Sequence, residues 1–287
     1  MKSMVKIVAK RSLNAARTTT EMVFEAPLVS RKCLPGQFVI LRLNQYGERF
    51  PLTVADYDRA RRTVTVIYQV VGASTRMLDM LEPGEEIQDF AGPLGLPTAM
   101  EGLKRVAVVG GGVGCAIAAP VARGMSKNGI DVDMIVGFRS RDIVILEDEM
   151  LKVCAHLYIM TDDGSYGGHG FTTDKLRALL ESGERYDQVT AIGPPLMMKL
   201  VCDLTKPYGI KTVVSLNPIM IDGTGMCGCC RVTVGGKRRF ACVEGPEFDG
   251  HAVDWDELIA RNRIYIEEER AADEHVCKIG LGGMQHA

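Results

Sequence analysis

One stretch limits what this chain can fold into more than any other. Asp222 to Cys242 reads D-G-T-G-M-C-G-C-C-R-V-T-V-G-G-K-R-R-F-A-C. Cys227, Cys230 and Cys242 stand in a C-x2-C-x11-C arrangement, and Asp222 lies five residues before Cys227. The pattern D-x4-C-x2-C-x11-C is plant-type iron–sulfur spacing with an aspartate in the first place. Gly223, Gly225 and Gly228 suit such a loop, because glycine reaches backbone angles that let N–H groups wrap around inorganic sulfides. Asp222, Cys227, Cys230 and Cys242 are therefore the expected ligands of a [2Fe-2S] cluster, and Cys229 between them is read as a non-ligand. A zinc ribbon would use the same thiolates, but it normally offers two C-x2-C knuckles, and here the second half has only Cys242. An aspartate oxygen is a harder donor than a thiolate, so Asp222 should alter the cluster potential.

Composition closes off other classes. A chain of 287 residues with 46% apolar residues and a net charge of −2 has room for two or three small domains and no basic excess that would call for nucleic acid. No run of about 18 apolar residues occurs, and the first residues hold no apolar signal-peptide core, so neither a membrane partner nor export is expected and the chain reads as cytoplasmic. Nine cysteines, four of them in one loop, suit a reducing compartment with a metal site better than a disulfide framework.

Residues 1–98 read as an antiparallel β-barrel. M-V-K-I-V-A-K and E-M-V-F-E-A alternate, G-Q-F-V-I-L-R-L and T-V-T-V-I-Y-Q-V-V are buried-strand runs, and Pro-Gly pairs at 35–36 and 83–84 mark turns. About six short strands in this length suggest a small barrel. Arg49, Pro51, Leu52 and Thr53 place a guanidinium and a hydroxyl around a stiff turn, which suits a phosphate and a flavin ring edge. Gly72, Ser74 and Thr75 follow a strand and open a helix expected over 75–81, so their N–H groups would face an anion. Taken singly, the first is an ordinary turn and the second an ordinary helix cap.

Residues 99–215 change period. V-A-V-V, then Gly110, Gly111, Gly112, Val113 and Gly114, then C-A-I-A-A-P-V-A-R-G-M-S form strand, glycine turn and helix, although G-G-G-V-G falls short of the full dinucleotide fingerprint. Further strands end near Gly137 to Arg141, Thr161 to Ser165, and Gly193 with Pro194, and strands alternating with helices predict a parallel-sheet α/β nucleotide-binding domain with these loops on one edge. A small C-terminal iron–sulfur domain is expected over 216–253. Residues 254–287 are expected to form a C-terminal helix and tail, packed on its own domain or docked to a partner, with a disordered end after Lys278. His156, His169, His251 and Cys277 carry no pattern.

The order P-G-Q-F, R-F-P-L-T, G-A-S-T, G-P-L-G, V-V-G-G-G-V-G, I-G-P-P-L-M-M and D-x4-C-x2-C-x11-C resembles the ferredoxin–NADP reductase superfamily over nearly the whole chain. Within it the sequence is similar to the branch that holds the dihydroorotate dehydrogenase electron-transfer subunit and the small subunit of NADH-dependent reduced ferredoxin:NADP oxidoreductase. Asp222, where the dihydroorotate branch carries a fourth cysteine, makes it look more like the second. The resemblance implies FAD at Arg49, Pro51, Leu52 and Thr53, with Gly72, Ser74 and Thr75 at its pyrophosphate. It also implies NAD(H) at Gly110 to Gly114. Arg139 and Arg141 stand where the adenosine ribose is read; they suit a 2′-phosphate while Asp142 suits a free ribose, so NADP(H) stays open and NADH is favoured by the resemblance alone. No catalytic acid or base is needed. The partner implied is a larger flavin and iron–sulfur subunit, with ferredoxin reached through it. A dihydroorotate-type electron-transfer subunit and a zinc-stapled regulatory nucleotide-binding module are the competing readings.

Overall fold

The computed structural model describes residues 4–284, with side chains as far as Val276. Strands β1 (Val5–Ser12), β2 (Thr19–Glu25), β3 (Phe38–Arg42), β4 (Phe50–Asp58), β5 (Thr63–Gln69), β6 (Glu86–Ile87) and β7 (Asp89–Leu94) form one antiparallel sheet in the order β6-β1-β2-β5-β4-β3-β7. Its two edges are joined by the single residue Gln88, so the sheet is a nearly closed barrel. The alternation that predicts these strands also fills the barrel: Ile7, Met22, Phe24, Val39, Leu41, Val64 and Val66 point inward and are fully buried. Each such side chain contributes about 1.5–3 kcal/mol of burial. Two helices interrupt the barrel, α1 (Pro27–Ser30) and α2 (Ala73–Met80), the latter starting and ending within two residues of the expected span.

The second sheet comprises β8 (Arg105–Gly111), β9 (Asp131–Phe138), β10 (His156–Thr161), β11 (Gly168–His169), β12 (Gln188–Ile192), β13 (Lys211–Ser215) and β16 (Glu247–Asp249), in the order β11-β10-β9-β8-β12-β13-β16. The first six strands run parallel and β16 pairs antiparallel with β13. With β8 first and β12 fifth along the chain, the order is that of a doubly wound sheet whose direction reverses between β8 and β12. The covering helices are α3 (Cys115–Lys127), α4 (Glu147–Leu151), α5 (Thr172–Glu181) and α6 (Pro195–Thr205). Helix α3 buries Ala116, Ala118, Ala119, Ala122 and Val121, so short side chains bring its axis close to the sheet.

The cysteine segment folds as a short hairpin of β14 (Arg231–Val234) and β15 (Lys237–Phe240) with helix α7 (Ala241–Glu244). It is not a separate lobe. Strand β16 lies within 216–253 yet completes the nucleotide sheet, and α8 (Trp255–Arg261) adds Trp255 and Leu258 to that sheet's core. A boundary at 215/216 thus separates chemistry more cleanly than it separates packing. The tail is two helices: after a turn at 262–265, α9 (Ile266–Met284) packs against α2 on the barrel side. Arg76 of α2 pairs with Asp273, and Val276 is 5% exposed. The sequence reading expects the tail on its own domain or on a partner; the structure sets α9 on α2 of the barrel. The helix also continues to Met284, into the stretch expected to be disordered; Cys277's side chain and residues 285–287 lie outside the described residues.

Candidate functional site: a cysteine loop seated between two nucleotide folds

The cysteine loop rests on the barrel. Gly223 has φ +74°, and a Cβ there would lie 2.6 Å from Leu94 and 2.9 Å from Ile40, so only glycine lets the loop lie flat on β3 and β7. Cys230, Cys242, Met220 and Ala241 form a small core with Phe38 and Ile40 of β3. Asp222 shapes the loop from its start: its two carboxylate oxygens accept the amide N–H groups of Thr224 and Cys227, each at 2.9 Å. Those bonds hold the carboxyl below its ordinary value, the Thr224 amide first.

The thiols of Cys230 and Cys242 are buried, with sulfurs 3.1 Å apart and no disulfide. Burial first, and then the neighbouring Cys230, push the Cys242 thiol up to about 12. A thiol raised in this way becomes a thiolate only beside compensating positive charge, which a bound metal would supply. Cys227 is exposed, and Cys229, half-buried beside it, has its thiol raised by burial and then by Cys227. The structure therefore brings Asp222, Cys227, Cys230 and Cys242 onto one short loop with Cys229 among them. Among the described residues no three His, Cys, Asp or Glu side chains close around a single metal ion. The donor chemistry fits the cluster, and each Asp222 oxygen keeps a lone pair beyond its amide bond.

On the barrel, Pro51, Leu52 and Thr53 sit half-buried on β4, with Thr53 opposite Phe38. At the start of α2, Thr75 Oγ1 accepts the N–H groups of Val71 and Gly72 at 3.1 Å each, and the buried Ser74 donates its hydroxyl to Glu48. Glu48 is raised by burial and then by Glu269 of α9. Its neighbour Arg49 points to Asp89, at 3.8 Å, and lines a cavity of about 390 Å3 together with Asp222. Sequence reading named Ser74 and Arg49 but missed Glu48, Arg42 and Asp89, because pairings across a barrel leave no local pattern.

The glycine turn lies at the sheet's reversal point. Gly110 and Gly111 end β8, a tight turn over Gly112–Gly114 follows, and α3 begins at Cys115. A Cβ on Gly114 would meet the Ile192 carbonyl oxygen at 2.5 Å and Gly193 at 2.9 Å, so this glycine lets the turn press against the end of β12. Space above Gly112 is open, and Gly193 and Pro194 border the same turn. Arg139 and Arg141 are exposed just after β9, with the Arg141 guanidinium 5.2 Å above the Tyr166 ring. The Asp142 carboxylate is held by the Ser140 hydroxyl. The opposite end of the same sheet carries a charged network without such openness: buried Asp133 accepts from Arg105 at 3.0 Å and Tyr186 at 2.8 Å and contacts His156 Nδ1 at 2.7 Å.

Residues 217–254 match the iron-sulfur cluster binding domain of dihydroorotate dehydrogenase B. The chain is 47% identical to an uncharacterized protein of Clostridium beijerinckii encoded in an adh 3′ region, over 95% of this chain and 94% of that one. It is 41% identical to the dihydroorotate dehydrogenase B (NAD(+)) electron transfer subunit homolog of Thermotoga maritima, over 93% and 94%. Among solved structures, a chain of the NADH-dependent reduced ferredoxin-NADP oxidoreductase, a structure concerned with flavin-based electron bifurcation, superposes with a TM-score of 0.89. That match has 38% identity over 97% of this chain and 99% of the other. A cytochrome P450 reductase from Amycolatopsis, 22% identical with a TM-score of 0.59 over 71% of this chain and 65% of that one, shares the fold. The chain therefore belongs to the family of dihydroorotate dehydrogenase B electron transfer subunits and their homologues.

Proposed function

We propose that this protein is an NAD(P)H-dependent flavin and iron–sulfur oxidoreductase subunit that passes electrons between NAD(H) and a larger catalytic partner subunit. The observation that carries the reading is the seat of the cysteine loop: Cys230 and Cys242 share one small core with Phe38 and Ile40 of the barrel, while β16 ties the same segment into the nucleotide sheet. Electron transfer needs its sites held in fixed positions, and this packing supplies that.

FAD, when bound, supplies the exchange between a two-electron hydride donor and a one-electron cluster. The chain's own residues bind and orient. Thr53, Leu52 and Pro51 would offer the ring edge, and Gly72, Ser74 and Thr75 the N–H groups and hydroxyls at the pyrophosphate. To receive a phosphate, the Ser74 hydroxyl must turn away from Glu48, and Glu48 is then best kept protonated or swung out. Gly110 to Gly114, with Gly193 and Pro194, would seat the nicotinamide nucleotide at the sheet's reversal point. Arg139 and Arg141 would edge its ribose; NADH is the form we favour. Asp222, Cys227, Cys230 and Cys242 would hold the [2Fe-2S] cluster, with Cys229 left free.

Within the family, an aspartate at 222 favours the ferredoxin:NADP oxidoreductase type, electron-bifurcating through its larger subunit, over the dihydroorotate type. Ferredoxin would be met by that subunit. Anaerobically purified protein should contain flavin, iron and acid-labile sulfide, with flavin absorption bleached by NADH and a reduced [2Fe-2S] EPR signal. A colourless chain with one zinc would replace this reading by the regulatory module, and a faster response to NADPH would change the nucleotide.

A further inference from the structure

Two guanidinium groups and two carboxylates line the cavity between the barrel and the cysteine loop, and they are unevenly paired. Its polar walls are Arg42, Arg49, Gln88, Asp89 and Asp222, and its volume is about 390 Å3. Asp89 accepts from Arg42 through Nε and Nη2, both at 2.5 Å, so its charge is met by that guanidinium. Arg49 stands off at 3.8 Å from the same carboxylate, and its side chain is 44% exposed against 25% for Arg42. Across the cavity the other carboxylate is Asp222, whose orientation is set by the Thr224 and Cys227 amides.

We infer that Arg49 is a positioning and charge-tuning residue for the iron–sulfur loop, facing Asp222 across this cavity and favouring the reduced cluster. The inference rests on the proposed cluster. A bound cluster would be one unit more negative in its reduced form. A guanidinium nearby stabilises that form and so raises the midpoint potential. Arg42 takes up the Asp89 carboxylate, which leaves Arg49 loosely held at the exposed edge of the cavity. Since the cavity admits water, the effect is partly screened and should shrink with salt.

The test is an EPR-monitored potentiometric titration of the full chain with dithionite, comparing wild type, Arg49→Gln, Arg49→Lys and Arg49→Glu, with iron, sulfide and FAD content measured on each. The expected result is a lower cluster potential in Arg49→Gln, a further drop in Arg49→Glu, a near-wild-type value in Arg49→Lys, and differences that diminish as salt rises. Arg49 is on the surface, so all three variants should fold. An unchanged potential with iron retained overturns the proposal. So does loss of FAD from Arg49→Gln with an unchanged cluster potential, which would make Arg49 a flavin-phosphate contact. Wild-type protein lacking iron would remove the cluster itself and with it the proposed function, an outcome visible before any variant is compared.

Discussion

The nucleotide sheet and the cysteine loop are joined strand to strand, yet they are held in opposite ways. The sheet has its own core on both faces, with Val106, Val108, Ile135, Val136, Val189 and Val214 fully buried between α3, α5 and α6. The loop buries few large side chains of its own and borrows Phe38 and Ile40 from the barrel; two of its most buried groups are thiols. A region with a full core holds its shape with or without a ligand. If those thiols hold the proposed cluster, the loop is ordered by the metal, because binding free energy then becomes folding free energy.

The sharpest break in that comparison is Cys230→Ala or Cys242→Ala. Either should remove the cluster completely, measured as iron and sulfide content, while the thermal unfolding of the nucleotide sheet stays near wild type. If the whole chain unfolded instead, the loop would be a support of the sheet as well as its guest.

Next in size is Gly114→Val. The new Cβ would overlap the Ile192 carbonyl oxygen, an atom of a buried strand that cannot yield. Such overpacking should destabilise the sheet by about 3 kcal/mol and abolish NADH binding. Iron content should not change, which separates the two regions from the other side. Denaturant unfolding and an NADH titration read both.

Asp133→Asn tests a charged part of the sheet far from the glycine turn. It leaves Arg105 without its buried partner, and the loss should be about 2 kcal/mol, less than for a fully enclosed pair because Arg105 and His156 reach solvent. Burial pushes the Asp133 carboxyl up, but hydrogen bonds from His156, Tyr186 and Arg105 outweigh it and leave it below its ordinary 3.8. A depressed carboxyl contributes stability that is fully present above the unfolded value and is lost as pH falls through the folded one. Unfolding midpoints of wild type and Asp133→Asn should therefore converge as pH drops below 3.8.

The smallest effect is expected at Cys229→Ala. Arg261 of α8 donates to the Cys229 carbonyl at 3.1 Å, a backbone contact that the substitution preserves. Iron content and the EPR line shape should match wild type. A changed line shape would make Cys229 a ligand and take Asp222 off the cluster.

Local chemistry made much of this legible in the sequence. Alternation predicted the barrel strands, because a half-buried strand has period two, and apolar runs followed by glycine turns predicted the parallel sheet. The cysteine spacing pointed to the loop because ligand chemistry acts over a dozen residues. Other features were silent for a physical reason. Nothing in E-F-D announces that β16 completes a sheet whose first strand begins over a hundred residues earlier, since an edge strand needs only free backbone groups on its neighbour. The single turn at 262–265 that splits the tail into α8 and α9 was likewise hidden in a run of helix-forming residues.

By itself, the sequence determined the classes of structure, a barrel and a parallel sheet, and crowded one carboxylate and several thiols into one short segment. Tertiary structure decided how they meet. It set Gly223 on Ile40 and Leu94, gave Ser74 to Glu48, turned Arg49 toward Asp89, and put Arg49 and Asp222 on the walls of one cavity. Periodicity and spacing are written along the chain, whereas the field at a buried or half-buried site is the sum of charges brought together from distant strands, and only folding places them.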